Sequence, residues 1–354
     1  MRVFVPTLLA LMMATTTSHA QDKPRRPMMT GVNIAGAEFG ENGGAHGTSY
    51  RYPDDAEIDG FARRGFTILR VPFLWERLQP TLSGDLDAKE FERLDHVVAH
   101  SRAKKLAIIL DLHNYARRGD DVIGSDKLSI DAFADVWRRL AERYKGRDGV
   151  VFGLMNEPHD MSTETWAKAA QAAIDAIRET GACNRILVPG NAWTGAHSWT
   201  SDSYGTPNAI AMAGVRDPEN RMSYEFHQYL DSDWSGRAPT CRPVNEVVAA
   251  LSVATDWLEK SNATGFLGEI GAGRDPLCLD GIAAMLAHLN AHKVWRGWTA
   301  WAAGAWWPKD YPLLLGTIDG KDTPQLAAFT KWTAPPDSEF VSAACPKSPV
   351  KPHD

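Results

Sequence analysis

Short apolar segments alternate along the chain with longer segments of helical periodicity. Eight of the apolar segments are rich in β-forming residues, and they predict strands. The predicted strands are GVNIAGAEF (Gly31–Phe39), FTILRVPF (Phe66–Phe73), LAIILDLH (Leu106–His113), VVFGLMNE (Val150–Glu157), RILVPGN (Arg185–Asn191), MSYEFHQYL (Met222–Leu230), GFLGEIG (Gly265–Gly271) and WRGWTAWAAG (Trp295–Gly304). They are continuous apolar runs more than strict alternations, which is typical of parallel strands covered on both faces.

Most of the intervals between these strands carry helical patterns. Phe91, Leu94 and Val98 share one helical face, and Asp87 and Glu90 precede it with the spacing of a capping pair. Apolar residues spaced by three and four predict further helices, at residues 133–144, 163–181, 244–260 and 279–293. The interval between the fifth and sixth strands has no clear pattern.

The regular spacing of the strands indicates the fold class. A strand ends roughly every 40 residues, about the length of one strand–helix unit. Eight such units without a clear linker predict an α/β fold, a single (β/α)8 TIM barrel. We expect the barrel to span residues 30–332, after an extension at 21–29 and before a tail at 333–354. An open, doubly wound sheet is the alternative, but no glycine-rich phosphate loop follows the first strand to support it.

The first 20 residues have the features of a secretory signal peptide. Arg2 precedes an apolar centre, Val3–Met13, and the small residues Ser18 and Ala20 fit a cleavage site. The apolar part is too short to span a bilayer, and no later stretch is long enough. We therefore expect a protein that starts near Gln21 and is secreted, extracellular or periplasmic. A retained N-terminal anchor is the alternative.

The composition of the chain limits the kinds of molecule that the protein is expected to bind. The 354 residues carry a net charge of −6, and no basic run follows KPRRP near the start, which argues against nucleic acid. Four cysteines in an oxidising compartment allow one or two disulfides, and none forms the C-x-x-C pair of a zinc site. Thirteen tryptophans suit a protein that offers aromatic faces to a ligand. We expect a monomer that binds neither nucleic acid nor membrane.

Active-site groups of a barrel lie at the C-terminal ends of its strands. The polar and aromatic residues at those predicted ends are Arg70, Asp111, His113, Asn114, Asn156, Glu157, His227, Tyr229, Glu269 and Trp301. His227 and Tyr229 are two apart on one strand, so their side chains point to the same side. His113 alone also suits a hydrogen-bonded core histidine, and Trp301 suits either core packing or a floor under a sugar ring.

Two carboxylates stand out, Glu157 and Glu269, because they end different strands of one rim. Hydrolysis of a glycosidic bond needs such a pair, with retention at separations of about 5–5.5 Å and inversion at about 6.5–9.5 Å. Each glutamate interrupts an apolar run, where an ionised group is costly, although either alone would also suit a buried ion pair with Arg70 or a histidine. Asp111 and His113 lack the His-x-His pattern of metal-dependent barrel hydrolases, so we expect no metal.

Several motifs at these strand ends resemble a known family. NEP after an apolar strand, together with GVNIAG, DLHNYAR, MNEPHD and HQYLDSD, resembles glycoside hydrolase family 5, the cellulase family of retaining barrel enzymes that includes many endo-β-1,4-glucanases. The resemblance covers about Thr30 to Thr330. It implies a β-linked polysaccharide or oligosaccharide as substrate, and no cofactor.

The resemblance also implies a role for each matching residue. Glu157 is expected to be the proton donor and general base, and Glu269 the nucleophile. Asn156 would hold the 2-hydroxyl of the sugar at the cleavage point. Arg70 would keep the nucleophile ionised, with Tyr229 within hydrogen-bond reach of it.

Further residues are expected to bind the sugar. By the same resemblance, His113 and His227 would bind hydroxyls and tune the acid/base, and Trp301 would stack under the subsite just before the cut. Three tryptophans in or near the loops are candidates either for further stacking or for core packing: Trp75, Trp193 and Trp306.

The sequence also contains candidates for disulfide bonds and for one glycosylation site. The resemblance favours a disulfide between Cys241 and Cys278, which leaves Cys183 and Cys345 as the second possible pair. Asn262 begins a glycosylation sequon, Asn-Ala-Thr, which matters in a host that glycosylates.

The expected function is that of a secreted, retaining endo-β-1,4-glucanase. The same chemistry on mixed-linkage glucan, xyloglucan or mannan is the first alternative. A catalytically silent polysaccharide-binding barrel is the second, and a metal-dependent barrel hydrolase is the third.

Overall fold

A computed structural model describes residues 25–345 and contains a closed barrel of eight parallel strands. The barrel strands, numbered here in chain order, are β1 (Met29–Ile34), β2 (Ile68–Phe73), β3 (Ala107–Leu112), β4 (Val150–Gly153), β5 (Ile186–Pro189), β6 (Met222–Tyr229), β7 (Gly265–Gly271) and β8 (Trp295–Ala303). Each strand pairs in parallel with its chain neighbours, and β1 pairs with β8 to close the ring. The predicted (β/α)8 fold is therefore confirmed.

Helices that follow the barrel strands along the chain cover the outside of the barrel. They are α1 (Asp55–Arg63), α2 (Ala88–Ala103), α3 (Ile130–Tyr144), α4 (Thr163–Glu179), α5 (Asn208–Ala211), α6 (Val244–Lys260), α7 (Pro276–Ala291) and α8 (Pro324–Thr330). The helix α5 has four residues and lies between two short 3-10 segments, Ala192–Thr194 and Met212–Gly214. This irregular region explains why the interval between the fifth and sixth strands showed no helical pattern.

One member of the predicted capping pair, Asp87, caps α2, and the other, Glu90, has a different role. Asp87 is the N-cap, and its side chain accepts a hydrogen bond from the backbone N–H of Glu90. The Glu90 side chain, however, is buried and accepts from the Tyr50 hydroxyl at 2.7 Å and from Arg93 at 2.8 Å. Glu90 therefore fixes the loop that precedes α1 to the start of α2, because a buried carboxylate binds the nearest strong donors.

The lower end of the barrel interior is closed by an apolar layer. Side chains from six strands form it with Phe340, namely Met29, Ile68, Ala107, Ile109, Val151, Leu187 and Phe266. Phe340 is fully buried and its ring stacks on that of Phe266 at 5.6 Å. The segment that carries Phe340 follows the last barrel helix, so the C-terminal part of the chain seals the face opposite to the strand C-termini.

Two strands end four or five residues earlier than the sequence predicts. The strand β1 stops at Ile34 instead of Phe39, where its pairing with β8 changes register. The strand β4 stops at Gly153 instead of Glu157, because the chain turns at Glu157, which has a left-handed φ of 44°. Asn156 still donates its backbone N–H to Leu112 O at 2.8 Å, so this segment stays attached to β3.

Several sequence predictions concern the chain termini. The signal peptide at residues 1–20 lies outside the described residues. Across 25–345, no helix combines the length and the apolar character that crossing a membrane would require. The described part of the tail, 333–345, is fixed by a disulfide between Cys183 and Cys345, and a second disulfide joins Cys241 to Cys278. Both of the expected cysteine pairings are therefore present.

Candidate active site

A cleft of about 980 Å³ lies at the C-terminal ends of the barrel strands. The predicted site residues that line it are His113, Asn156, Glu157, Trp193, His227, Tyr229, Glu269 and Trp301. Further lining residues come from the loops after β3 to β8 and include Tyr115, His159, His197, Trp234 and Tyr311. The barrel thus brings residues from distant parts of the chain to one rim, as parallel strands of one closed sheet must.

The two predicted glutamates face each other across the base of this cleft. One carboxylate oxygen of Glu157, one of Glu269 and a ring nitrogen of His227 all lie within 4.8 Å of one another. The Glu269 side chain is 3 % exposed and the Glu157 side chain 17 % exposed. The two carboxyl groups are therefore close together but differ in their access to solvent.

Arg70 is the positive centre beneath the cleft. Its buried guanidinium lies 3.0 Å from each of three carboxylates, those of Asp111, Glu225 and Glu269. It also donates to the side-chain oxygen of Asn156 at 2.8 Å and to that of Asn33 at 2.9 Å. Although burial opposes its charge, these carboxylates raise the pKa of Arg70, which stays cationic.

Glu269 is held from two sides. Arg70 donates to one carboxylate oxygen, and the Tyr229 hydroxyl donates to the other. Burial raises the pKa of Glu269 above its ordinary value, while the positive charges of His227 and Arg70 oppose that rise. Arg70 therefore contacts Glu269 and favours its ionised form, but burial has the larger effect on the pKa of the carboxyl group.

Glu157 is paired with His227. The Nδ1 atom of His227 lies 2.8 Å from Oε1 of Glu157 and 3.5 Å from Oε2 of Glu269. Burial disfavours the imidazolium, but Glu269, Glu157 and Glu225 together outweigh it and raise the pKa of His227 to about 10. At neutral pH the imidazole is therefore protonated, and its Nδ1–H donates to Glu157.

The backbone at Glu157 is unusual as well. Its φ of 44° lies in the left-handed region, which costs a residue with a side chain about 1–3 kcal/mol and persists where the surroundings fix it. The next residues are fixed too, since Trp193 donates its backbone N–H to Pro158 O at 3.1 Å. This turn leaves the Glu157 side chain among the residues that line the cleft.

His113 and Trp301 form one wall of the cleft. The His113 ring stacks on Trp301 with 5.6 Å between ring centroids and an interplanar angle of 17°. Its Nδ1 atom lies 2.6 Å from Oδ2 of Asp111, and its Nε2 atom 3.3 Å from the Tyr115 hydroxyl. Burial disfavours charge on His113, but Asp111 outweighs it and raises the pKa of the ring. The hydrogen bonds of His113 thus go to Asp111 and Tyr115, and His227 is the histidine that contacts Glu157.

The three tryptophans that were candidates for either stacking or core packing differ in their burial and in their neighbours. Trp193 is 46 % exposed in the cleft, and one face of its indole stacks on His159 at 4.6 Å. Trp75 is fully buried against Phe133, so packing is its role, and a sugar cannot reach it. Trp306 is half-buried and stands apart from the described residues that line the cleft.

Sequence reasoning missed several residues of the site. Glu225 contacts both Arg70 and His227, and the two-residue spacing that pairs His227 with Tyr229 extends back to it. Tyr115, His159, His197 and Trp234 lie in loops, where no periodicity marks the side chains that turn inward. Trp234 stacks on His197 at 5.3 Å, which adds a third imidazole–indole pair to the cleft.

Glu157, His227 and Glu269 also lie close enough together to bind a metal ion. Binding to a metal requires a neutral imidazole. The neighbouring carboxylates raise the pKa of His227 to about 10, so a proton competes for that position at neutral pH. The arrangement is suited to acid–base and nucleophilic chemistry by two carboxyl groups, such as hydrolysis of a glycosidic bond.

Comparisons with known proteins agree with this geometry. The chain matches the family model described as Cellulase (glycosyl hydrolase family 5) over residues 30–305. Endo-beta-1,4-glucanase B of Aspergillus niger is 37% identical over 293 residues, which cover 82% of this chain and 85% of the relative.

Solved structures of similar proteins share the whole barrel. The structure of XacCel5A in complex with cellopentaose is 44% identical, covers 86% of this chain and 99% of its own, and superposes with a TM-score of 0.85. An endo-beta-1,4-glucanase of Xanthomonas axonopodis pv. citri is 43% identical, covers 89% of this chain and 100% of its own, and has a TM-score of 0.85. The chain belongs to glycoside hydrolase family 5, the cellulase family.

Proposed function

We propose that this protein is a secreted endo-β-1,4-glucanase, which cleaves internal β-1,4 bonds of a glucan with retention of configuration. The observation that carries the proposal is the short distance between Glu157 and Glu269, whose nearest oxygens lie within 4.8 Å. Retaining glycosidases place their carboxyl groups about 5–5.5 Å apart, whereas inverting enzymes need about 6.5–9.5 Å to admit a water molecule. The separation here fits the retaining class.

In the first step, Glu269 attacks the anomeric carbon while Glu157 protonates the departing oxygen. The contacts of Arg70 and Tyr229 with Glu269 support its role as nucleophile, because they orient the carboxylate and favour its charge. Glu157 is the more exposed of the pair, which suits a proton donor that reaches the glycosidic oxygen. The product of this step is a glycosyl-enzyme ester on Glu269 and a free leaving chain.

In the second step, Glu157 takes a proton from water, which attacks the same anomeric carbon and releases Glu269. Microscopic reversibility makes the acid of the first step the base of the second. Asn156 is proposed to donate to the sugar 2-hydroxyl, and the contact of its side-chain oxygen with Arg70 at 2.8 Å supports this because it leaves the amide group to donate. No metal or organic cofactor enters either step.

The shape and lining of the cleft support a polysaccharide substrate. Trp301 and Trp193 offer indole faces on which the apolar side of a sugar ring stacks. Histidines, serines and Asp233 supply polar contacts along the same cleft. The relative whose structure contains cellopentaose is 44% identical, which supports a β-1,4-glucan over mixed-linkage glucan, xyloglucan or mannan.

Secretion is part of the proposal. The first 20 residues have the pattern of a signal peptide, so the mature chain is proposed to start near Gln21. The two disulfides support an oxidising compartment, because such bonds are rare in reducing cytosol. The protein is proposed to act there as a monomer.

Release of reducing ends tests the activity. Purified protein is incubated with carboxymethyl-cellulose, lichenan, xyloglucan and mannan, with Glu269→Gln and Glu157→Gln as matched variants. We expect hydrolysis to be fastest on carboxymethyl-cellulose and to be lost in both variants. An inactive wild type would indicate a polysaccharide-binding barrel, and activity that survives in Glu269→Gln would overturn the nucleophile assignment.

Stereochemistry is tested separately. Proton spectra recorded during early cleavage of a cello-oligosaccharide should show the β-anomer of the product first. An initial α-anomer would contradict the retaining mechanism without contradicting the substrate. Retention of activity in the presence of a chelator distinguishes this mechanism from that of a metal-dependent hydrolase.

A further inference from the structure

A third glutamate, Glu225, lies beneath the two that face the cleft. It is on β6, two residues before His227 and four before Tyr229, so all three side chains point to the barrel interior. The residue is 1 % exposed, and neither of its carboxylate oxygens has a hydrogen-bond partner within residues 25–345. A buried carboxylate without hydrogen bonds is costly, so charged neighbours must hold it in place.

Two cations face Glu225 from different directions. The Nε atom of Arg70, on β2, lies 3.0 Å from Oε1 of Glu225, and the Nε2 atom of His227 lies 3.5 Å from the same oxygen. In the described part of the chain, these two nitrogens are themselves without hydrogen-bond partners. The three groups are therefore joined by charge, and their mutual attraction depends on each one being ionised.

The neighbouring strand leaves room for this carboxylate. Gly268 on β7 is not paired with a residue of β6. The pairing of the two strands shifts register there, from Phe226–Leu267 to His227–Glu269. A Cβ atom on Gly268 would lie 2.1 Å from Oε1 of Glu225, so a side chain there would displace the carboxylate. The same irregularity that brings His227 opposite Glu269 thus also admits Glu225 below them.

We propose that Glu225 is a positioning residue, which keeps His227 doubly protonated so that His227 always donates, and never accepts, at Glu157. The inference rests on the proposed hydrolysis by Glu157 and Glu269. A neutral imidazole has one N–H and one lone pair, so it would present the lone pair to either Glu157 or Glu225. An imidazolium presents an N–H to each, with Nδ1 toward Glu157 at 2.8 Å and Nε2 toward Glu225 at 3.5 Å.

This arrangement controls where the proton of Glu157 goes. When Glu157 is protonated, its carbonyl oxygen accepts from Nδ1–H of His227, which leaves the acidic O–H free to face the glycosidic oxygen. A neutral His227 with a lone pair on Nδ1 would take that proton instead, and the leaving group would depart unprotonated. Glu225 is thus expected to act on catalysis through His227 without touching the substrate.

The charged groups around Glu225, His227 and Arg70 determine in which direction the pH profile moves when Glu225 is substituted. His227 faces Glu157, Glu269 and Glu225, and Arg70 faces Glu225, Glu269 and Asp111. Glu225→Gln removes one negative charge from this cluster without changing its size. Every neighbouring acid then loses its proton more easily, so both limbs of the pH profile of kcat/KM should move to lower pH, by about one unit.

Three variants make the kinetic test specific. Glu225→Gln should shift both limbs, Glu225→Asp should bring them back toward the wild type because it keeps the charge, and Glu246→Gln, an exposed residue on α6, should leave them unmoved. A merely structural role predicts a loss of rate that is equal at every pH. Equal loss without a shift, a shift to higher pH, or the same shift in Glu246→Gln would each overturn the proposal.

A direct measurement on the wild type covers the case in which Glu225→Gln fails to fold. Nitrogen-15 spectra of histidine-labelled protein, with the His227 signals assigned by their loss in His227→Gln, report whether both ring nitrogens carry protons. We expect His227 to stay doubly protonated from about pH 5 to about pH 9. Titration of His227 near pH 6.5, the ordinary value, would overturn the proposal. This result is independent of the proposed function, which fails separately if the wild type hydrolyses no β-glucan.

Discussion

Nη1 of Arg70 lies 3.0 Å from Oε1 of Glu269, although the two residues are 199 positions apart in the sequence. The contact spans the barrel interior from β2 to β7 and is fully buried. Arg70 holds two further carboxylates and two amide oxygens with the same planar guanidinium, which presents five N–H donors in a fixed geometry. Its charge and its shape are both used.

Arg70→Lys should therefore be far from conservative. A lysine keeps the charge but has a single nitrogen, so it cannot reach all of these acceptors at once. We expect kcat on carboxymethyl-cellulose to fall by about 10²-fold or more. The free energy of unfolding should fall by about 3–5 kcal/mol, because buried carboxylates lose their partner.

A surface pair provides the control for Arg70→Lys. Arg64 pairs with Asp322 at 2.6 Å in a partly exposed position. Arg64→Lys should change the free energy of unfolding by at most about 1 kcal/mol and leave kcat unchanged. Wild-type kcat in Arg70→Lys would show that charge alone suffices at this position.

The positions of the barrel strands could be predicted because each carries a local signal. Runs such as Leu106–His113 and Gly265–Gly271 are apolar, short and bounded by polar residues, so their pattern alone indicates buried strands. Once eight strands were expected in one barrel, the residues at their C-terminal ends had to share a rim. That topological rule placed Arg70, Glu157 and Glu269 together without any measurement of distance.

What could not be predicted depends on contacts between strands or on loop conformation. Trp75 and Trp193 follow barrel strands in the same way, yet one is buried and the other is 46 % exposed, because loop folding decides which indole turns outward. Glu225 is not singled out by the sequence because its importance comes from its contacts with Arg70 and His227, and the room for it comes from a register shift at Gly268. Such a shift has no signature in either strand alone.

The contrast between these two tryptophans gives a second prediction. Trp193→Ala should raise KM for long glucans about two- to tenfold, because it removes one stacking face, and should leave the melting temperature unchanged. Trp75→Ala should lower the free energy of unfolding by about 3–5 kcal/mol, because it opens a cavity against Phe133. Steady-state kinetics and thermal unfolding of both variants check this. A lower melting temperature in Trp193→Ala would show that Trp193 packs instead of binding.

The disulfide between Cys183 and Cys345 gives a third prediction. It joins two residues that are 162 positions apart, and it fixes the segment that places Phe340 in the apolar layer at the lower end of the barrel. Cys345→Ser should lower the free energy of unfolding by about 2–5 kcal/mol, since the unfolded chain regains conformational freedom. Denaturant unfolding without reductant measures the loss, and Phe340→Ala separates the packing of the tail from the covalent bond. Unchanged stability in Cys345→Ser would mean that the disulfide contributes little to the stability of the protein.

The raised pKa of Glu269 predicts how stability changes with pH. Burial makes ionisation of Glu269 harder in the folded protein than in the unfolded chain, where its ordinary value is 4.5. Below that value the carboxyl is neutral in both states, so wild type and Glu269→Gln should have similar stability. As the pH rises through the raised pKa, the wild type loses stability relative to the variant, which stays neutral. Glu269→Gln should therefore melt at a higher temperature than the wild type at neutral pH, with the difference vanishing on acidification.

Melting temperatures recorded across this pH range check the prediction. Glu92→Gln is the matched control, because Glu92 is exposed on α2 and its substitution should give no comparable trend. A Glu269→Gln variant that melts below the wild type at neutral pH would show that Arg70 and His227 stabilise the ionised carboxylate by more than burial penalises it. The expected result means that the protein keeps a destabilising charge at this position because a nucleophile has to be ionised to attack the sugar.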